Sequence, residues 1–152
     1  MPIQNIMTVC VGNICRSPVA EGMLAYALPQ SKVWSSGLHA VVGSPAEPTA
    51  QALALEAGID ISAHRAQQVQ AWMCTQADLI LVMEAAHLRE LAQRFPLARG
   101  KIRLLGEFGT QAAATPYDVA DPYLQPRAAF EAAHSAIAQG VAQWVRRIRL
   151  IG

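Results

Sequence analysis

Residues 78–83, DLILVM, form an almost unbroken apolar run directly before AAHLRELAQRF, whose apolar residues recur at helical spacing. A strand with no polar face has to be covered on both sides, and that demands a parallel sheet with helices above and below it. The rest of the chain repeats the alternation. IQNIMTVC (3–10) reads as a first strand. SPVAEGMLAYAL follows as a helix, with Ser17 as N-cap and Pro18 at the first helical position. KVWSS (32–36) reads as a second strand, and EPTAQALALEAG as a helix opened by Pro48 and closed by Gly58. KIRLL (101–105) supplies a fourth strand. After a connection rich in Gly, Pro and Ala (106–126) comes a long final helix, RAAFEAAHSAIAQGVAQWVRRIRL, interrupted in pattern by Gly140.

Four strands joined by right-handed helical crossovers predict an α/β, flavodoxin-like three-layer sandwich, with a four-stranded parallel sheet of order 2-1-3-4 flanked by helices. The 152 residues suit a single domain spanning 1–152, able to bury roughly two thirds or more of its unfolded surface. In such a sheet the ligand crevice lies at the carboxyl ends of the strands, near the point where strand order reverses. The loop after the first strand belongs there.

Composition narrows the function. A formal charge of +1, with 12 basic against 11 acidic residues, offers no broad field for nucleic acid or an anionic membrane. The first residues lack a signal-peptide pattern and no run approaches a membrane span, so the expectation is a soluble, cytoplasmic protein without membrane insertion. Three cysteines, Cys10, Cys15 and Cys74, are too few and too unevenly placed for a disulfide framework.

Against that background the stretch TVCVGNICRSP (8–18) is chemically dense. Five residues separate Cys10 from Arg16. A backbone wrapped around a centre over that interval aims several N–H groups inward at the mouth of a helix, which is a cradle for a tetrahedral anion. Val11, Gly12, Asn13, Ile14, Cys15, Arg16 and Ser17 form this candidate phosphate loop. Gly12 is expected to allow the tight turn and Asn13 to accept a left-handed backbone. Arg16 can offer two parallel hydrogen bonds to two anion oxygens, which lysine could not copy. The same surroundings favour a thiolate at Cys10, and Ser17 can donate to its sulfur. Cleaving a phosphate ester this way also needs a proton for the departing oxygen. Among Glu107, Asp118 and Asp121 on the late connection, Asp121 is the candidate acid and then the base that activates water, because it sits in DPY between stiffening Pro122 and aromatic Tyr123. Asp118 is the fallback.

CVGNICRSPVAEGML, SSGL, GID, HRA, DLILVME, ARGKIRLLGEF and DPY follow one another in an order and spacing that resemble the low-molecular-weight protein tyrosine phosphatase family over almost the whole chain. SSGLHAVVG is most similar to bacterial members from capsule and exopolysaccharide operons. The resemblance implies phosphotyrosine hydrolysis through a phosphocysteine, with Cys10 as nucleophile, Arg16 as phosphate ligand and Asp121 as acid. It also implies loop-supporting hydrogen bonds from Asn13, Ser17, Ser35 and His64, a substrate-pocket rim at Val41 and Tyr123, and no cofactor or metal. The implied partner is a tyrosine-phosphorylated protein, in this subgroup a bacterial tyrosine autokinase, with inorganic phosphate as product. Two departures stand out. Gln67 occupies a position where many relatives have arginine, and Val41 stands where animal relatives carry a bulky aromatic.

Other readings attach to single residues. Cys15 is either a small buried filler or a partner that captures oxidised Cys10 as a disulfide. Cys74, Trp34 and Trp144 read as core. His39, His87 and His134 lack metal-ligand spacing and read as surface or packing residues. Two rival activities share parts of the motif. An arsenate reductase of this fold needs a further close cysteine pair where the chain has only Cys74, and a cysteine phosphocarrier needs neither Arg16 nor Asp121.

Overall fold

The computed structural model describes residues 2–151. Strands β1 (Asn5–Cys10), β2 (Lys32–Gly37), β3 (Leu79–Val82) and β4 (Ile102–Leu104) form one parallel sheet in the order β2-β1-β3-β4. Helices α1 (Arg16–Ala27), α2 (Pro48–Glu56) and α5 (Arg127–Ile151) cover one face. The short α3 (Ala71–Gln76), α4 (Ala85–Arg94) and a 3-10 segment at Pro96–Lys101 cover the other. This is the flavodoxin-like sandwich.

The two-residue strand period divides the core. Ile6 and Cys10 of β1 and Leu79 and Leu81 of β3 pack with Val19, Leu24, Ile137, Trp144 and Ile148. Met7, Val9, Ile80 and Val82 face Met73, Cys74, Leu91 and Ile102. Cys74 and Trp144 are buried, and Trp34 is packed at the edge of the second cluster.

Boundaries depart from the sequence reading where side chains compete with the ladder. β1 starts at Asn5 rather than residue 3, because the carboxylate of Asp78 accepts the amides of Gln4 and Asn5 at 3.0 and 2.8 Å. α1 starts at Arg16, with Cys15 in the N-cap position and no side-chain cap. Ser17 is therefore inside the first turn and is not the N-cap; its hydroxyl is engaged by Cys10 and Asn13 instead. α2 does begin at Pro48, with Glu47 capping Thr49 and Ala50, and Gly58 adopts φ +84° just past its end. Gly140 leaves α5 unbroken. An ideal Cβ there would lie 2.9 Å from both Cγ and the carbonyl oxygen of Leu105, so the glycine lets the chain after β4 lie against the helix.

Candidate active site

β1 delivers Cys10 to the top of the sheet, and residues 11–15 wrap into the first turn of α1. Neighbouring loops turn the carbonyls of this wrap outward. Leu38, His39, Val41 and Glu47 donate their amides to the carbonyls of Cys10, Val11, Gly12 and Ile14 at 2.8–3.0 Å, and His64 Nε2 lies 2.6 Å from the carbonyl of Asn13. That contact requires His64 Nε2 to carry the proton. None of the amides from Val11 to Arg16 has a partner among the described residues. A ring of outward carbonyls with unpaired inward amides at a helix start is an anion site. The tight turn is carried by Asn13, at φ 60°, whereas Gly12 keeps an ordinary backbone, so the expectation for Gly12 gives way.

Behind the ring, Asn13 organises a buried network. Its Nδ2 donates to Ser17 Oγ at 2.8 Å and to Ser35 Oγ at 2.9 Å, and its Oδ1 accepts the amide of Gln67 at 2.9 Å. Each serine then has its single proton free for another acceptor. Ser35 gives its proton to Glu21 Oε1 at 2.6 Å. Ser17 has Cys10 Sγ at 2.9 Å, so the hydroxyl proton is directed at the sulfur. Burial pushes the Glu21 carboxyl above its usual range, opposed by the Ser35 hydrogen bond and by His64.

Arg16 is fully buried, and its two edges have different surroundings. Nη1 donates to the carbonyl of Val119 at 2.8 Å and to the carboxylate of Glu84. Nε has no partner among the described residues, and Nη2 has only Asp121 Oδ2, 3.7 Å away. The Nε–Nη2 edge is thus the fork left for a bound anion. Asp121 is half exposed, with its Oδ1 accepting the amide of Tyr123 at 3.1 Å. Asp118 accepts the amide of Ala85 at the start of α4, which engages the fallback acid in helix capping.

Cys10, Val11, Gly12, Ile14, Cys15, Arg16, His39, Val41, Asp121 and Tyr123 line one cavity of about 200 Å³. The predicted nucleophile, arginine, acid and rim residues meet there. Asn13, Ser17, Ser35 and His64 lie behind it as support. The Cys15 thiol is pushed up to about 12, chiefly by burial and then by the neighbouring charge at Cys10. Gln67, the departure from the usual arginine, has its own supporting role: its side chain donates to the carbonyl of Ser35 at 2.8 Å. Sequence reasoning missed Glu21 and Glu84. Glu84 had a readable signal, being the first carboxylate after the strand that neighbours β1. His87, buried 3.4 Å from Glu84, is pushed below the usual imidazole range by burial and by the charge of Arg16.

The chain is similar to known proteins over nearly its whole length. Residues 5–150 match the family model described as low molecular weight phosphotyrosine protein phosphatase. The chain belongs to that family. It is 45% identical over 150 residues to the probable low molecular weight protein-tyrosine-phosphatase EpsP of Ralstonia nicotianae, covering 99% of each chain. The crystal structure of the Erwinia amylovora tyrosine phosphatase AmsI superposes with a TM-score of 0.89 at 42% identity, covering 95% of this chain and 93% of that one. Vibrio vulnificus Wzb in complex with benzylphosphonate also gives 0.89, at 39% identity, covering 95% and 99%. In this family member the pocket wall at Val41 is aliphatic and half exposed, and Tyr123 lines the same cavity.

Proposed function

We propose that this phosphatase hydrolyses phosphotyrosine in a partner protein through a cysteinyl-phosphate intermediate. The observation that carries the reading is the convergence, in one cavity, of Cys10, the free edge of buried Arg16 and the unpaired loop amides. The phosphoryl dianion sits in the ring of amides with two oxygens on Arg16 Nε and Nη2. Cys10 Sγ attacks phosphorus in line, forming the P–S bond as the P–O bond to the tyrosine breaks. Protonated Asp121 gives its proton to the departing phenolate oxygen. Asp121, now a carboxylate, takes a proton from water as that water attacks phosphorus; inorganic phosphate leaves and the thiolate returns, with the Ser17 hydroxyl directed at it. Donors already in place for an anionic transition state require little reorganisation.

The substrate protein follows from the sequence resemblance to capsule and exopolysaccharide enzymes: a tyrosine kinase of polysaccharide export, met in the cytoplasm. No helix among the described residues is long and apolar enough to cross a membrane. Cys10→Ser abolishes release of phosphate from aryl phosphates while the fold persists; retained turnover rejects the nucleophile. Asp121→Asn slows cleavage of phenyl phosphate by about 10²-fold or more, and of the better leaving group p-nitrophenol far less. An equal loss on both rejects Asp121 as acid. An Asp121→Ala trap incubated with cell extract retains the tyrosine-phosphorylated kinase.

A further inference from the structure

One buried titratable side chain that the reaction leaves unused, His87, reaches Arg16 through a single intermediary. It sits in the first turn of α4, with its side chain 7% exposed. Its Nε2 lies 3.4 Å from Glu84 Oε2, the same oxygen that accepts Arg16 Nη1. Its Nδ1 is buried without a hydrogen-bond partner among the described residues. These surroundings choose the tautomer. A hydrogen on Nδ1 would be a buried donor with no acceptor, and the Nε2 lone pair would then face a carboxylate oxygen. A hydrogen on Nε2 turns a donor toward Glu84 and leaves only a lone pair unmet. Burial and the charge of Arg16 disfavour the imidazolium, against the opposing pull of Glu84, Glu90 and Asp118. The neutral Nε2–H form is therefore the one held here. An apolar ring of that size would fill the same place and orphan no nitrogen. What the histidine adds is a donor facing the oxygen that holds Arg16.

We propose that His87 is a positioning residue for phosphoryl transfer: by turning Nε2–H toward Glu84 Oε2 it keeps that carboxylate on Arg16 Nη1, and so keeps the Nε–Nη2 edge of Arg16 toward the bound phosphoryl group. This rests on the reading of Arg16 as phosphate ligand given above. The Glu84 side chain is 29% exposed, so water competes for its carboxylate, and a donor on the buried side opposes that competition. Loss of the carboxylate would leave Arg16 Nη1 with the Val119 carbonyl alone, and a guanidinium plane that turns misaligns both hydrogen bonds to the phosphoryl oxygens together.

The test is a double-mutant cycle on phenyl phosphate, with inhibition by inorganic phosphate as a second readout. His87→Phe keeps a buried ring but has no donor; it lowers kcat/KM by about three- to tenfold and weakens phosphate inhibition by a similar factor. His87→Gln, whose amide nitrogen reaches the place of the imidazole Nε2, stays within about twofold of the wild type, whereas the shorter His87→Asn falls with His87→Phe. In a Glu84→Gln background His87→Phe costs less than about twofold more, because the carboxylate it steadies is gone. Equal losses from His87→Phe in the two backgrounds, or a His87→Gln variant as impaired as His87→Phe, reduce His87 to packing and overturn the proposal. If His87→Phe does not fold, the comparison of His87→Gln with His87→Asn decides alone, and equal activity of the two overturns the role. A wild type that neither cleaves phenyl phosphate nor binds phosphate removes the reading of Arg16 itself, and the role of His87 with it.

Discussion

The guanidinium of Arg16 is held from behind by the carboxylate of Glu84, on the nitrogen that also donates to Val119. This leaves the opposite edge pointing into the cavity and neutralises a charge that the fold has buried completely. A buried arginine without a counter-charge costs several kcal/mol, softened here because Glu84 is itself partly exposed.

Glu84→Gln keeps a hydrogen-bond acceptor and removes the charge. The expected result is a 10- to 100-fold fall in kcat/KM on phenyl phosphate, on the order of 1.4–2.8 kcal/mol of transition-state stabilisation. It should also lower the melting temperature, partly restored by added phosphate, whose charge replaces the missing one. Unchanged activity and melting would show that the Val119 carbonyl alone positions Arg16.

The cysteines should differ in reactivity. Cys15 is raised from an ordinary 9.0 to about 12, and burial also pushes Cys74 up, so both remain thiols at neutral pH. Iodoacetamide at pH 7 should therefore modify Cys10 alone, read by peptide mass. We infer that Cys15 acts under peroxide. Cys10 thiolate takes oxygen to become a sulfenic acid, and the Cys15 thiol then condenses with it, forming the S–S bond and releasing water. Losing the charge on Cys10 removes one of the causes that hold Cys15 protonated. Dithiothreitol should restore most activity to the wild type and clearly less to Cys15→Ser; equal recovery would remove the role.

The Glu21 carboxyl gives the network a pH dependence of defined sign. Its folded value lies above the ordinary 4.5, so the folded protein binds this proton more tightly than the unfolded chain. The stability it contributes is complete below 4.5 and is lost as pH rises through the folded value. Glu21→Gln removes that slope. The unfolding free energy of the variant relative to wild type, from urea titrations, should increase with pH over that window and then level off. A flat or falling difference would contradict the assignment.

Much of the site was legible because it is local. Cys10, Arg16 and Ser17 lie in one strand-to-helix loop, and spacing alone states that one backbone wrap brings them together. Asp121 was legible through Pro122 and Tyr123, although only the Asp118 contact with Ala85 explains why the nearer-looking alternative is engaged elsewhere. Glu21 and Glu84 were not found, since a carboxylate on a helix face or after a strand looks like any solvated charge until its partner is known. The start of α1 was misread for a related reason: Ser17 has the chemistry of a cap, but its hydroxyl is engaged by Asn13 and Cys10 and the helix already begins at Arg16.

The sequence by itself determined the α/β alternation and the loop carrying nucleophile and arginine, because these follow from hydrophobic period and from neighbours along the chain. Only the tertiary structure decided which edge of Arg16 is free and which way the Ser35 proton points. Those depend on partners 14 to 103 residues away in the chain, from Glu21 on Ser35 to Val119 on Arg16, and packing alone brings such partners within hydrogen-bond reach.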